Sequence, residues 1–345
     1  MRLLILGGSR FIGRHVAEQA QAAGHEVVLF NRGQSWPEAP FETLQGDLHQ
    51  LPDYAAQLQA VKADVVLHCL AMTPQHAQDF VNVFQHSSAQ LHVLSSADVY
   101  EAFQGLVQGK ENSDWPVSEA SPVTAKPFYW RDLGSQHMRD YDKNQVTEIV
   151  LQACPRAVVY RLPMVYGPHD RQYAHRHGWI LQHLLHEQSE VVLGLSQQAN
   201  LWHYGYVENI AAALLTGIQH TLDHPGQLTG VYNLGETQVR SWRRWVELFY
   251  QAADRELTVR LLPDNWPISA VSAASPAPQH FFMDVSRFAN TTGFEPPVTV
   301  PEAIARTLRW GLAHPEGLGE CPDFEGRLKA WRNFQNFLTP QVSLS

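Results

Sequence analysis

Apolar residues in the first third of the chain fall in short unbroken runs separated by amphipathic stretches. Leu3–Leu6, His25–Phe30, Asp64–His68 and Leu91–Ser96 read as strands buried on both faces, and Phe41–Gln45 as a shorter one. Between them, Phe11–Ala23 and the stretch from Pro74 to about Ser88 place apolar residues at helical spacing. Strands alternating with helices predict an α/β fold, a doubly wound parallel sheet of Rossmann type with right-handed crossovers. In such a sheet the ligand crevice lies at the C-terminal ends of the strands. Past Tyr166 the pattern loosens. Gly178–Glu187 and Glu208–Ile218 read as helices, and Ser241 opens another that carries Trp242, Trp245 and Phe249 on one face. Pro263–Pro278, rich in Pro, Ser and Ala, reads as a surface connection; Val300–His314 and Phe324–Phe337 read as closing helices. The pattern divides the chain into a doubly wound domain, residues 1–165, and a smaller C-terminal α/β part, residues 166–345, interleaved with the first.

The first strand ends in Gly7-Gly8-Ser9-Arg10-Phe11-Ile12-Gly13 and passes straight into a helix. A glycine trio between a strand and a helix is the opening of a dinucleotide-binding βαβ unit. Gly7 permits the sharp turn, Gly8 leaves room for a pyrophosphate, and Gly13 lets the helix approach the sheet. The bare N–H groups of the helix N-terminus then face the phosphates. The second strand ends in Asn31-Arg32-Gly33, with no acid to take a ribose hydroxyl. Arg32 and Arg10 instead suit the 2′-phosphate of NADP, with NAD as the alternative cofactor, although solvated surface arginines would look the same. Asp47, followed by Leu48, is placed to accept from an adenine amino group or to cap the helix beginning near His49.

Composition narrows the field. The chain has 345 residues, 44% hydrophobic and 17% charged, which describes a globular protein of one large or two intimate domains. A formal charge of −9 argues against a broad nucleic-acid footprint, so DNA is not a partner and RNA is not expected. The three cysteines, Cys69, Cys154 and Cys321, stand far apart and read as thiols of a reducing compartment. No apolar run reaches the ~18 residues of a membrane span, and the N-terminus enters a strand at once, which points to a cytoplasmic protein.

Gly7 to Gly13, Ser95-Ser-Ala-Asp-Val-Tyr100 and Arg161-Leu-Pro-Met-Val-Tyr-Gly-Pro168 together resemble the extended short-chain dehydrogenase/reductases. More closely, they resemble the NAD-dependent epimerase/dehydratase group. The likeness continues through Tyr206-Val-Glu-Asn-Ile-Ala-Ala, Val231–Gly235 and Asp284 to Gly293-Phe294. It implies a nicotinamide cofactor touching Leu70, Ala71, Met72, Ser95, Pro163 and Val165 besides the glycine loop. It also implies a Ser or Thr after the fifth strand and a Tyr-x-x-x-Lys segment on the next long helix. Ser96 matches the hydroxyl and Tyr141 the tyrosine, but the lysine position holds Gln145. A tyrosine with a reference pKa near ~10 needs a neighbouring cation to act as a base at neutral pH. If the helix runs through both residues, Lys143 lies about 200° round from Tyr141 rather than about 40°, a poor substitute. Tyr129 is a rival tyrosine, also without a lysine four residues on.

Between Tyr100 and Tyr141 the chain is too long for a compact connection. Residues 101–140, with Trp115, Phe128 and Trp130 as apolar anchors, read as an excursion over the active-site mouth, or as a surface Ω-loop. On the substrate side, Arg171 and Arg176 suit an anion such as a sugar diphosphate, and Trp202 offers a platform for a base or sugar. His169, His175 and His177 lack metal-type spacing, so no metal is expected. Trp310, Trp331 and Phe334 pack the closing helices or leave a homodimer contact open. Three readings of function follow. The first is an NADP-dependent oxidoreductase or epimerase/dehydratase-like enzyme acting on a nucleotide sugar or related hydroxy/keto compound, with Tyr141 as acid/base and Ser96 orienting the hydroxyl. The second is a catalytically silent dinucleotide-binding sensor or scaffold, argued from Gln145. The third is an RNA-associated role, disfavoured by the charge balance.

Overall fold

The computed structural model describes residues 1–133, 136–170, 177–264, 266, 279–318 and 323–338. The chain opens with β1 (Arg2–Leu6), α1 (Phe11–Ala22), β2 (Glu26–Asn31), β3 (Glu42–Gln45), α2 (Ala55–Ala60), β4 (Val65–His68), α3 (Pro74–Phe84) and β5 (Gln90–Ser96). After α4 (Glu101–Gln108) come α5 (Lys143–Ala153), β6 (Val158–Leu162), β7 (Met164–Tyr166), α6 (Gly178–Leu185), β8 (Glu190–Gly194), β9 (Leu201–Trp202) and β10 (Tyr204–Tyr206). The remainder is α7 (Val207–Asp223), β11 (Gly230–Asn233), β12 (Arg240–Ser241), α8 (Trp242–Ala252), β13 (Thr258–Leu262), α9 (Ser286–Thr292), α10 (Val300–Ala313) and α11 (Phe324–Leu338).

Seven strands form one parallel sheet in the order β11-β6-β5-β4-β1-β2-β3. Alternate residues of each strand feed two cores, as a period of two requires. Leu3, Ile5, Val27, Leu29 and Leu67 pack with Val16 and Ala20 of α1 and Ile210 and Leu214 of α7. Leu4, Leu6, Val28, Val66 and Val93 pack with Phe80 and Phe84 of α3 and Val146 and Val150 of α5. The α1/α7 core extends into the second half of the chain, taking in Trp245 and Phe249 of α8 and Ile304 of α10. Conversely, β11, from beyond residue 165, completes the sheet.

The stretch after Tyr100 is more ordered than an irregular excursion. It opens with α4, stopped by Gly109 in the left-handed conformation (φ 69°) that glycine adopts without strain. The segment beyond is pinned to the C-terminal half. Val117 N–H donates to Phe282 O and Asp284 N–H to Val117 O, while the buried Gln279 amide oxygen accepts from the N–H groups of Asn112 and Ser113. It forms a fixed wall. Of the Pro263–Pro278 connection, residues 265 and 267–278 lie outside the described residues.

Candidate active site

The C-terminal ends of β1 to β5 open into a groove of about 510 Å³. Among its lining residues are Gly7, Ser9, Arg10, Phe11, Ile12, Gly13, Asn31, Arg32, Asp47, Leu48, Leu70 and Met72, each expected from the sequence. Gly7 makes the turn at φ 88°. Gly8 serves a purpose other than clearing room for a ligand. A Cβ there would sit 2.8 Å from Leu29 and 2.9 Å from Ile5, inside the sheet core. Gly13 packs onto Gly8, where its own Cβ would meet the Gly8 Cα at 2.8 Å. Helix α1 therefore lies tight on the sheet, and Arg10 at its N-cap makes no side-chain cap. Its first turn, Phe11, Ile12 and Gly13, lines the groove.

At the β2–β3 end, the Asn31 side chain accepts from Gly33 N–H at 2.7 Å, and Arg10 Nε donates to Ser35 Oγ at 2.7 Å. Arg10, Arg32, Gln34 and Ser35 stand together where an NAD-preferring site would carry a carboxylate. Asp47 accepts from His49 N–H at 3.0 Å, so it caps the following turn while also lining the groove. Ala71, Ser95, Pro163 and Val165 are buried rather than groove-lining. Ala71 joins the α3/α5 core and Val165 the α1/α7 core. Pro163 packs beside Gly205, and Ser95 Oγ is buried with no hydrogen-bond partner among the described residues.

At the β4–β5 end the structure gathers Ser96, Asp98, Tyr141 and Lys143. Asp98 was not singled out by the sequence. Its N–H donates to Ser96 Oγ at 3.3 Å, and its carboxylate accepts the Tyr141 hydroxyl at 2.8 and 3.1 Å. Burial raises the Asp98 pKa; burial, then the adjacent carboxylate, holds the Tyr141 phenol well above its usual range. Tyr141 lies before α5 rather than on it. Asp142, extended at φ −158° and ψ 94°, is the N-cap, and the helix begins at Lys143. In extended chain, residues two apart share a face, so the helical angle that would separate Lys143 from Tyr141 does not apply.

Lys143 is 5% exposed, and its Nζ donates to the Leu94 carbonyl at 2.8 Å. Leu94 and Cys69 line the inner end of the groove. Burial lowers the lysine to about 8, against the opposing pull of Asp98 and then Cys69. Gln145, by contrast, is engaged in the cap: its Nε2 donates to Asp142 Oδ2 at 2.6 Å and its N–H to Asp142 Oδ1 at 3.0 Å. The buried cation beside Tyr141 and Asp98 is therefore Lys143, and Gln145 is a capping residue. An Asp just before an apolar-periodic run is a helix-start signal, and read at Asp142 it would have shown this.

Residues 124–130 of this wall close over the cluster. Tyr129, Trp130 and Lys126 stand beside Asp98, Tyr141 and Lys143. Phe128 N–H donates to Asp142 Oδ2 at 3.0 Å, and Asn144 Nδ2 to Thr124 O at 3.1 Å. Tyr129 accepts from Gln108 Nε2 at 3.3 Å. Trp202 lies on β9, packed edge-on to Trp242 at 5.8 Å, with its indole N–H buried and unpartnered among the described residues. Arg171, Arg176 and His175 lie outside the described residues. Among the described residues, no group of three or more His, Cys, Asp and Glu is placed to hold a metal ion, and no helix is long and apolar enough to cross a membrane.

Residues 3–235 match the model of the NAD dependent epimerase/dehydratase family. An uncharacterized Escherichia coli K12 protein, YbjS, is 22% identical over 91% of this chain and 98% of its own length. A sterol-4-alpha-carboxylate 3-dehydrogenase (decarboxylating) of Candida albicans is 26% identical over 64% of this chain and 65% of its own. Among solved structures, UDP-glucose-4-epimerase of Stenotrophomonas maltophila, with bound NAD and formylated UDP-arabinopyranose, superposes with a TM-score of 0.69 at 19% identity, covering 92% of this chain and 99% of that one.

Proposed function

The chain belongs to the NAD dependent epimerase/dehydratase family, and on that premise we propose that it is an NADP-dependent oxidoreductase or epimerase/dehydratase-like enzyme. Its substrate would be a nucleotide sugar or a related hydroxy/keto compound. The observation that carries the reading is the Tyr141–Asp98 hydrogen bond with Lys143 buried beside it. The groove suits the cofactor: the N-terminus of α1 lines it without a side-chain cap, Arg10, Arg32 and Ser35 stand at one end, and Leu94, whose carbonyl accepts from Lys143, lies at the other. Bound there, the nicotinamide would supply hydride exchange with the substrate carbon.

The protein's own part is to hold and move a proton. With both causes acting against phenolate, Tyr141 is a poor free base. A relay avoids that difficulty. As the Tyr141 oxygen takes the proton of a substrate hydroxyl, its own proton passes to Asp98, whose raised pKa suits it to receive one. Ser96, anchored at the turn that carries Asp98, orients the substrate hydroxyl. Lys143 offsets the negative charge in the relay. Arg10 and Arg32 support a 2′-phosphate, and Arg171 and Arg176 remain the proposed contacts for an anionic substrate, with Trp202 as an aromatic surface. The nucleotide-sugar assignment draws on the superposable epimerase, whose crystal holds formylated UDP-arabinopyranose.

The test incubates the NADP⁺-loaded protein with UDP-, GDP- and dTDP-sugars while NMR and nicotinamide absorbance are followed together. A new sugar or a reduced cofactor is expected. Tight cofactor binding with every sugar unchanged, and unchanged again with simple hydroxy and keto compounds, would favour the silent sensor.

A further inference from the structure

Two histidines in the groove are unused by this chemistry. His49 follows Leu48 at the β3 end, and His76 lies in the first turn of α3; both line the groove. Their rings meet, with His76 Nε2 2.9 Å from His49 Nδ1. His76 Nδ1 in turn accepts the Met72 N–H at 3.3 Å. The Met72 N–H can only donate, so Nδ1 is the acceptor in this contact. Against burial, the Leu70 backbone, whose hydrogen bond raises the ring's proton affinity, does not reverse the net lowering of the His76 pKa. With Nδ1 accepting, the neutral His76 carries its proton on Nε2 and donates to His49 Nδ1. His49 is then held as the Nε2–H tautomer. That last N–H has no hydrogen-bond partner among the described residues, on an exposed side chain at the groove wall.

We infer that His49 is a dinucleotide-binding residue, donating from Nε2–H to an acceptor atom of the adenosine half, and that His76 is the positioning residue that sets its tautomer. The inference rests on the groove's proposed role as the dinucleotide site. The end of the groove follows from the chemistry. With Tyr141, Asp98 and Lys143 at the β4–β5 end, the nicotinamide belongs there, and the adenosine belongs at the β2–β3 end beside Asp47, Leu48 and His49. Burial, then the facing His49, lowers the His76 pKa, which favours the neutral ring the relay needs. The other ionisable groups near His76 are Asp79 on its own helix, which also accepts from Gln75, and Lys143 on α5; His68 on β4 lies close by.

The test measures Kd by calorimetry for ADP, nicotinamide mononucleotide and NADP⁺ with the full chain and four variants. His49→Phe should weaken ADP and NADP⁺ about three- to tenfold, the range of one net hydrogen bond, and leave the mononucleotide unchanged. His76→Phe should match it, and the double variant should add little, because both break one relay. His76→Gln, which can accept from Met72 and still donate to His49, should restore most of the affinity. Nitrogen-resolved NMR of the ring should show His49 as the Nε2–H tautomer in the parent and a mixture in His76→Phe. Unchanged ADP affinity in His49→Phe, or fully additive losses in the double variant, would overturn the inference while leaving the dinucleotide site intact. Failure of the parent chain to bind either ADP or NADP⁺ would overturn both.

Discussion

In the proposed reaction the cation beside Tyr141 is Lys143, the first residue of α5. Lys143 reaches the Leu94 carbonyl at the groove's inner end, whereas Gln145 is held in the cap by Asp142. Lys143→Met keeps most of the buried volume and removes the charge. It should lower kcat about 100-fold or more, the scale of general acid–base assistance, with a smaller effect on substrate KM. The parent should lose activity as pH rises through about 8, where Lys143 gives up its proton, and that limb should vanish in the variant. Gln145→Lys should bring no gain, since residue 145 belongs to the cap. Steady-state kinetics from pH 6 to 9.5, with circular dichroism as a fold check, decides the matter. Full turnover by Lys143→Met, or a gain from Gln145→Lys, would reassign the lysine.

At the scale of elements, one carboxylate joins the start of α5 to the wall over the site. Asp142 Oδ1 accepts from the N–H groups of Asn144 and Gln145, and Oδ2 from Phe128 N–H and Gln145 Nε2. Asp142→Ala should cost about 1–2 kcal/mol as a lost cap, read as a fall in the urea midpoint. It should also reduce turnover more than Asp142→Asn, which retains one acceptor oxygen. An unchanged midpoint would mean that α5 and the wall hold without it. The same element marks the limit of what the sequence discloses. Strands such as Leu3–Leu6 are legible because a parallel strand buried on both faces must be apolar throughout. The glycine loop is legible because its backbone demands are local. The start of α5 is less legible, because the resemblance sets Tyr141 on the helix while Asp142, the actual N-cap, carries the competing signal. Asp98 and the His49–His76 pair were beyond reach for another reason. Their partners lie 43 and 27 residues away, and only the packed sheet brings them together.

At the scale of the molecule, the sheet under the groove and the second half of the chain share one continuous core. The α1/α7 core runs from Leu3 of β1 to Ile304 of α10, and β11 closes the sheet from the second half of the chain. A ligand bound to the folded state at 100 times its Kd adds about 2.7 kcal/mol. With an unfolding entropy of about 2.1 cal/mol/K per residue, a chain of 345 residues changes by about 0.7 kcal/mol per kelvin, so the midpoint should rise by about 4 °C. The nature of the rise tests the cofactor preference. Arg32 is exposed at the groove wall, near Ser35 and Arg10, where a 2′-phosphate would add charge but a bare ribose would not. At equal concentrations NADP⁺ should therefore raise the melting midpoint more than NAD⁺. Arg32→Ala should shrink the NADP⁺ shift toward the NAD⁺ value while leaving the NAD⁺ shift alone. The contrast should also narrow in 0.5 M salt, because an exposed guanidinium acts through a screened field. Equal shifts for both cofactors in the parent would remove the case for NADP. Loss of both shifts together in Arg32→Ala would instead mean that the arginine supports the shape of the β2 end rather than recognising a phosphate.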